Sequence, residues 1–254
     1  MSILIGGVTL TTSQDPPPND QGAATRLIGA FRPADVLPAE FTRLAPRLLE
    51  RLRRVPSVSS LVSDVMDDLG WNLAVPGGHL PIRSGADVVI GHAVTIGYLP
   101  ERHRGRGPKD GKLAHRQAFN MASAGDVVVI DARAVPDASV LGGLAAHAAA
   151  EAGVAGCVVD GSVRDLAEIR ELGLAIWAAG STPRSGNLRA EAVTINRPVG
   201  CGSVQVRAGD LVVADENGIC FVPFEIAEAV ITGALKLAAE EASQLSITPT
   251  PIGE

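Results

Sequence analysis

Residues 141–165, LGGLAAHAAAEAGVAGCVVDGSVRD, decide the reading of the fold. The diglycine Gly142-Gly143 opens an Ala-rich helix, and the apolar run 154–159 returns the chain as a strand. Asp160-Gly161 is expected as the turn that ends this strand and delivers Arg164 and Asp165 to its tip. The unpaired amides of Gly142, Gly143 and Leu144 would carry partial positive charge at the helix start, which suits an anion. Arg164 adds a planar donor fork for a carboxylate, and Asp165 adds an oxygen ligand for a hard divalent cation. Together they suggest a site for a metal-chelated oxo acid.

Outward from this stretch, short β-rich runs are expected at 88–98, 126–131, 154–159 and 174–178, with helices between some of them, so the class is mixed α/β. Further short strands at 192–195, 204–206, 211–214 and 219–222 alternate with Gly turns and suggest a second, more antiparallel layer. Helices are expected at 38–54, where Phe41, Leu44, Leu48, Leu49 and Leu52 have helical spacing, and after Pro56, with Ser57 or Ser59 as cap. A last helix is expected over 225–245. Residues 1–33 read as a flexible leader, 34–246 as one domain and 247–254 as a tail.

The composition permits one enzyme-sized core: 254 residues, 46% hydrophobic, with aromatics at only 3%, so aliphatic side chains must fill it. A net charge of −6 argues against nucleic acid as a partner, although residues 101–109 are locally basic and would form a solvated loop or an electropositive rim. Cys157, Cys201 and Cys220 form no CxxC pair and read as buried thiols of a reducing compartment. Without a secretion signature or an apolar run of membrane length, a cytoplasmic location is expected.

The residues also admit a plainer account. Asp165 begins LAEIRELG with Glu168 three residues later, so it fits a capping box, and Arg164 would then pair with Asp160 or another carboxylate. Ser63, Asp64, Asp67, Asp68, Asp210 and Asp215 fit caps, turns or solvated faces. His79, His92 and His103 form no metal-ligand pattern, which argues against zinc, and His115, without motif support, reads either as a packing or surface residue or as a catalytic one.

The blocks SVSSLVSDVMDDLG, GHAVTIGY, AGDVVVIDA, the opening stretch and VGCGSVQVRAGDLVVADENGICFVP, in this order, resemble the RraA-like family over about residues 58–242. That family comprises 4-hydroxy-4-methyl-2-oxoglutarate aldolases, oxaloacetate decarboxylases and regulators of ribonuclease E. The resemblance implies a swivelling β/β/α domain, with N-terminal helices and a C-terminal helix, assembled as a homotrimer or hexamer. It also implies that Arg164 contacts a 2-oxo acid carboxylate, that Asp165 binds Mg2+ or Mn2+, and that Arg189, with Arg184 its rival, faces the substrate. Glu240 and Glu241 would approach the metal waters of a neighbouring subunit.

The implied activity is a carbon–carbon lyase working through a metal-stabilised pyruvate enolate, by retro-aldol cleavage or decarboxylation. A non-catalytic regulator that binds a protein, and a dehydratase of a sugar-derived oxo acid, are the alternatives. One position departs from the pattern. The family's aldolases carry an acid at the place of Gly143, and His147, one helical turn further along, is the candidate to replace it as proton acceptor.

Overall fold

The computed structural model describes residues 35–38, 41–102 and 115–245. The expected leader and tail, and all of the basic segment beyond Arg102, lie outside the described residues.

Helices α1 (Pro46–Arg53) and α2 (Val58–Asp68) precede strands β1 (Ala74–Pro76), β2 (Ile82–Ser84) and the long β3 (Val89–Pro100). There follow α3 (His115–Met121), β4 (Val127–Asp131), β5 (Ser139–Leu141), α4 (Gly143–Glu151), β6 (Gly156–Val163), α5 (Leu166–Leu172) and β7 (Ala175–Ser181). Strands β8 (Ala190–Ile195), β9 (Val199–Cys201), β10 (Val204–Val206), β11 (Leu211–Ala214) and β12 (Gly218–Val222) lead to α6 (Ala227–Leu245).

The first helix begins later than its periodicity suggests. Phe41 packs against His92, with ring centroids 4.7 Å apart, and Arg43 makes a two-pronged ion pair with buried Asp126, at 2.6 and 2.8 Å. These contacts hold residues 41–45 outside the helix, and Pro46, with its fixed φ and no N–H to lose, opens it. Ser57 stands at the N-cap of α2 but makes no side-chain cap bond, while Ser59 gives both its N–H and its hydroxyl to Asp215.

The main sheet runs β1-β12-β11-β3-β4-β6-β7-β2, with β5 joined to β6 and β8 to β3. Strands β3, β4, β6 and β7 are parallel, while β11 and β12 continue the same sheet antiparallel. The later strands are therefore antiparallel as expected, yet they form no separate layer; only the β9-β10 hairpin stands apart.

Alternation along the strands explains how one sheet serves three cores. Val127, Val129, Val158, Trp177, Val212 and Phe221 point into a central core shared by both halves. Their neighbours Val128, Ile130, Cys157, Val159 and Ile176 face α3, α4 and α5. On the other half, Leu211, Val213, Cys220 and Val222 face α1, α2 and α6. The sheet must curl around the central core for both arrangements to hold. All three cysteines are buried and unpaired, and burial pushes the Cys157 thiol up to about 12. No helix among the described residues is long and apolar enough to cross a membrane.

Asp160-Gly161 is not a turn. Asp160 pairs with Asp131 across β4, is buried, and accepts the Gly202 N–H at 2.6 Å while lying 3.1 Å from His79 Nε2. Gly161 passes so close to β4 that a Cβ would sit 2.7 Å from that of Ala132. The register with β7 shifts between Val159 and Ser162, so the pair forms an irregularity within a strand that continues to Val163.

Candidate active site

The end of β6 and the start of α4 meet because β5 lies parallel to the last residues of β6, and the Arg164 N–H donates to Leu141 O at 3.0 Å. Gly142 then passes directly under the Arg-Asp pair. A Cβ there would lie 2.8 Å from Asp165 Oδ2 and 2.9 Å from Arg164 Cγ and Nε, so the close approach needs glycine for space and not for its dihedrals, which are extended.

Asp165 occupies the N-cap position of α5 in the left-handed region, with φ 56° and ψ 41°, but its side chain makes no bond to that helix. Its Oδ2 accepts the Gly143 N–H at 3.0 Å and lies 3.4 Å from Arg164 Nε. The carboxylate thus caps α4 from the start of α5. Both side chains are about two-fifths exposed, so their mutual ion pair is weak and both remain accessible to a ligand. Asp160 pairs elsewhere, 3.7 Å from Arg133 Nε, and is not the partner of Arg164.

Glu168, the other half of the expected capping box, also turns away from its own helix. Its Oε1 lies 3.1 Å from His147 Nε2, and its carboxylate covers the position a Cβ of Gly143 would take. Arg164, Gly142 and Leu144 border a hollow of about 150 Å³ with His115, Ser139 and Ser185. Leu144 is 87% exposed there. Among the described residues His115 Nδ1 is buried without a hydrogen-bond partner, and burial, followed by the charge of Arg116, pulls its pKa down to about 4. Tertiary packing brings this neutral ring to the wall of the hollow and sets Glu168 beside it, against Gly143. No spacing in the sequence singles out His115, and Glu168 is visible only as a capping pattern.

Of the remaining expected site residues, Arg189 and Arg184 are bonded to residues that line the hollow, whereas Glu240 and Glu241 lie apart from it. Arg189 bonds through its guanidinium to Ser185 O at 3.0 Å, and Arg184 lies 3.9 Å from Asp137 Oδ2. Glu240 pairs with Lys236 at 3.6 Å, and exposed Glu241 follows it on α6, which packs on the opposite half of the sheet. A larger hollow, about 500 Å³, lies between Ser57, Arg83, Asp87, Trp177 and Glu216. There Arg83 bonds to Glu216 O at 2.7 Å and Asp215 accepts from Ser59 and Asn217, while the buried Ser84 hydroxyl has no hydrogen-bond partner among the described residues. The smaller hollow is the one that Arg164 and the start of α4 border.

As for a metal, no group of three or more His, Cys, Asp or Glu side chains suited to one exists among the described residues. The available donor is the half-exposed, amide-anchored carboxylate of Asp165. A single oxygen ligand fits Mg2+ or Mn2+, which keep waters and take oxygens from substrate, and does not fit zinc.

The RraA-like family, described as Aldolase/RraA, matches residues 59–221, more than half of the chain. A Halalkalibacterium halodurans protein provisionally named 4-hydroxy-4-methyl-2-oxoglutarate aldolase is 35% identical over 76% of this chain and 84% of its own length. Protein DlpA of Legionella pneumophila is 31% identical over 77% of this chain, which spans only 31% of DlpA. The crystal structure of Streptomyces coelicolor RraAS2, described as an unusual member of the RNase ES inhibitor RraA protein family, aligns with a TM-score of 0.68. It is 27% identical, over 82% of this chain and all of that one.

Proposed function

Since the chain belongs to the RraA-like family, whose similar members include proteins named as aldolases, we propose that it is a divalent-metal-dependent lyase. It would cleave a carbon–carbon bond of a pyruvate-type 2-oxo acid by retro-aldol reaction or oxaloacetate-type decarboxylation. The observation that carries this reading is the convergence of Arg164, Asp165 and the start of α4, fixed by the bond from Gly143 N–H to Asp165 Oδ2.

Asp165 would hold Mg2+ or Mn2+, which when bound supplies a Lewis acid at the 2-oxo carbonyl. Arg164 would clamp the substrate carboxylate with two parallel donors. The Gly143 amide is taken by Asp165, so help from the helix start falls to the next amide, that of Leu144. Arg189 would enter the same role only by releasing its backbone carbonyls. The hollow limits the bound group to a small acid and shields it partly from water. We place the enzyme in the cytoplasm, as its unpaired buried thiols suggest. We also place it in a homotrimer or hexamer, in which Glu240 and Glu241 would serve a neighbouring subunit.

The test is pyruvate release from oxaloacetate and from 4-hydroxy-2-oxo acids, with and without Mg or Mn, alongside calorimetry with oxalate, a planar mimic of the enolate. Metal-dependent turnover and metal-dependent oxalate binding are expected. Absence of both would leave a regulator that binds a protein. Release of a 2-oxo acid from a sugar acid, without pyruvate, would point to the dehydratase.

A further inference from the structure

Glu168 lies three residues after Asp165, and its carboxylate is folded back over the first residue of α4. Oε1 meets His147 Nε2 at 3.1 Å, while Oε2 is the atom nearest the place a Gly143 Cβ would occupy. The Gly143 N–H in turn is held by Asp165. Across the two helix starts the order is therefore Asp165, the Gly143 backbone, the Glu168 carboxylate and His147. Pairing alone gives little reason for this arrangement. Both side chains are about half exposed, where solvent screens an ion pair to a weak contribution, and a capping glutamate would have turned to its own helix.

We propose that Glu168 is the proton-transfer residue of this site and that His147 is a positioning residue acting through it; the proposal rests on the lyase reading. In the retro-aldol direction, Oε2 accepts the proton of the substrate C4 hydroxyl. The O–H electron pair becomes the new C4 carbonyl bond, and the C3–C4 pair moves to C3 as the enolate of pyruvate forms. Glu168 returns the same proton to C3, so the methyl group is completed with no net gain or loss. In decarboxylation the C3–C4 pair stays on C3 as carbon dioxide leaves, and Glu168, reprotonated from solvent by way of His147, supplies the proton that C3 takes. An Nε2–H of His147 donating to Oε1 keeps Oε2 turned toward Gly143. Glycine at 143 is the condition for all of this, because any side chain would claim the space of the carboxylate.

The experiment is steady-state kinetics of the intact protein with Mn2+, combined with calorimetry of Mn2+ and of oxalate. Glu168→Gln keeps the shape but cannot accept the proton; kcat should fall about 100-fold or more, with KM and both affinities within about threefold. His147→Gln should lower kcat by a smaller factor, about tenfold. The double variant Gly143→Asp with Glu168→Ala, which supplies a carboxylate from the other helix, should recover at least about tenfold over Glu168→Ala alone. Wild-type kcat in Glu168→Gln would overturn the proposal, as would loss of Mn2+ affinity, which would make Glu168 a ligand. If Glu168→Gln does not fold, Gly143→Ala displaces the carboxylate without removing it, and an unchanged kcat there is equally fatal. A wild-type protein without turnover would end the lyase reading and this proposal together, and so differs from a failure of Glu168 alone.

Discussion

Asp165 begins α5, yet its carboxylate accepts the first amide of α4, that of Gly143, at 3.0 Å. One side chain thereby ties two helix starts, and its φ of 56° is one that Asn and Asp tolerate better than other residues with a Cβ. Asp165→Asn should keep the acceptor and the backbone, leaving Tm within a few degrees, while turnover falls at least about 100-fold through loss of the anionic oxygen. Asp165→Ala should cost about 1 kcal/mol or more in addition, for the lost cap and the strained backbone. Thermal denaturation beside the pyruvate assay checks both, and full turnover in the Asn variant after chelation would rule out the metal role.

Arg164→Lys retains the charge but not the planar fork. With its ion pair to Asp165 weak, the guanidinium is available to a substrate, and kcat/KM should drop by about 10- to 100-fold at nearly unchanged Tm. A kinetic profile identical to wild type would move the carboxylate clamp to another residue.

Gly142→Ala tests the close pass beneath the site. The new methyl group would press on Arg164 and Asp165 at 2.8–2.9 Å, and the extended backbone at 142 accommodates alanine without strain. Activity should fall while far-UV circular dichroism and Tm stay close to wild type. A protein that loses its fold instead would show that the contact cannot give.

His115 makes stability depend on pH. Its folded pKa, about 4, lies below the ordinary 6.5, chiefly through burial, so the fold favours the neutral ring. Its contribution is complete above pH 6.5 and is lost as pH falls toward 4. Asp210 tilts the other way: burial raises it from 3.8 to about 6, so its contribution is present at low pH and lost as pH rises through 6. The informative quantity is thus the difference between His115→Leu and wild type, with the variant gaining Tm relative to wild type as pH is lowered from 6.5 to 4. Parallel Tm curves would contradict the buried, neutral imidazole.

The helix and strand of residues 141–165, and the arrival of Arg164 and Asp165 at a strand end, were legible because local periodicity governs them. The continuation of β6 through Asp160-Gly161 was not, because an Asp-Gly pair carries the same signal whether it turns or presses flat against a neighbouring strand. The joining of β11 to β3 depends on pairing such as Leu211 with His92, which no local pattern encodes. Glu168 shows the limit most clearly. Three residues from Asp165 it reads as a cap, and only the missing side chain at Gly143, brought near by folding, gives its carboxylate another place to go.

Strand β3 gives side chains to all three cores: Ile90 to the α1-α2-α6 side, Ala93 to the centre, and Val94 and Ile96 to the helices that carry the site. It is also the strand joining β11 to β4. Neither half of the sheet can open without stripping β3 from the other, so subglobal unfolding has no natural seam there. The protein should melt as one cooperative unit, and the amide protons in the middle of β3 should exchange with solvent only when the whole domain unfolds.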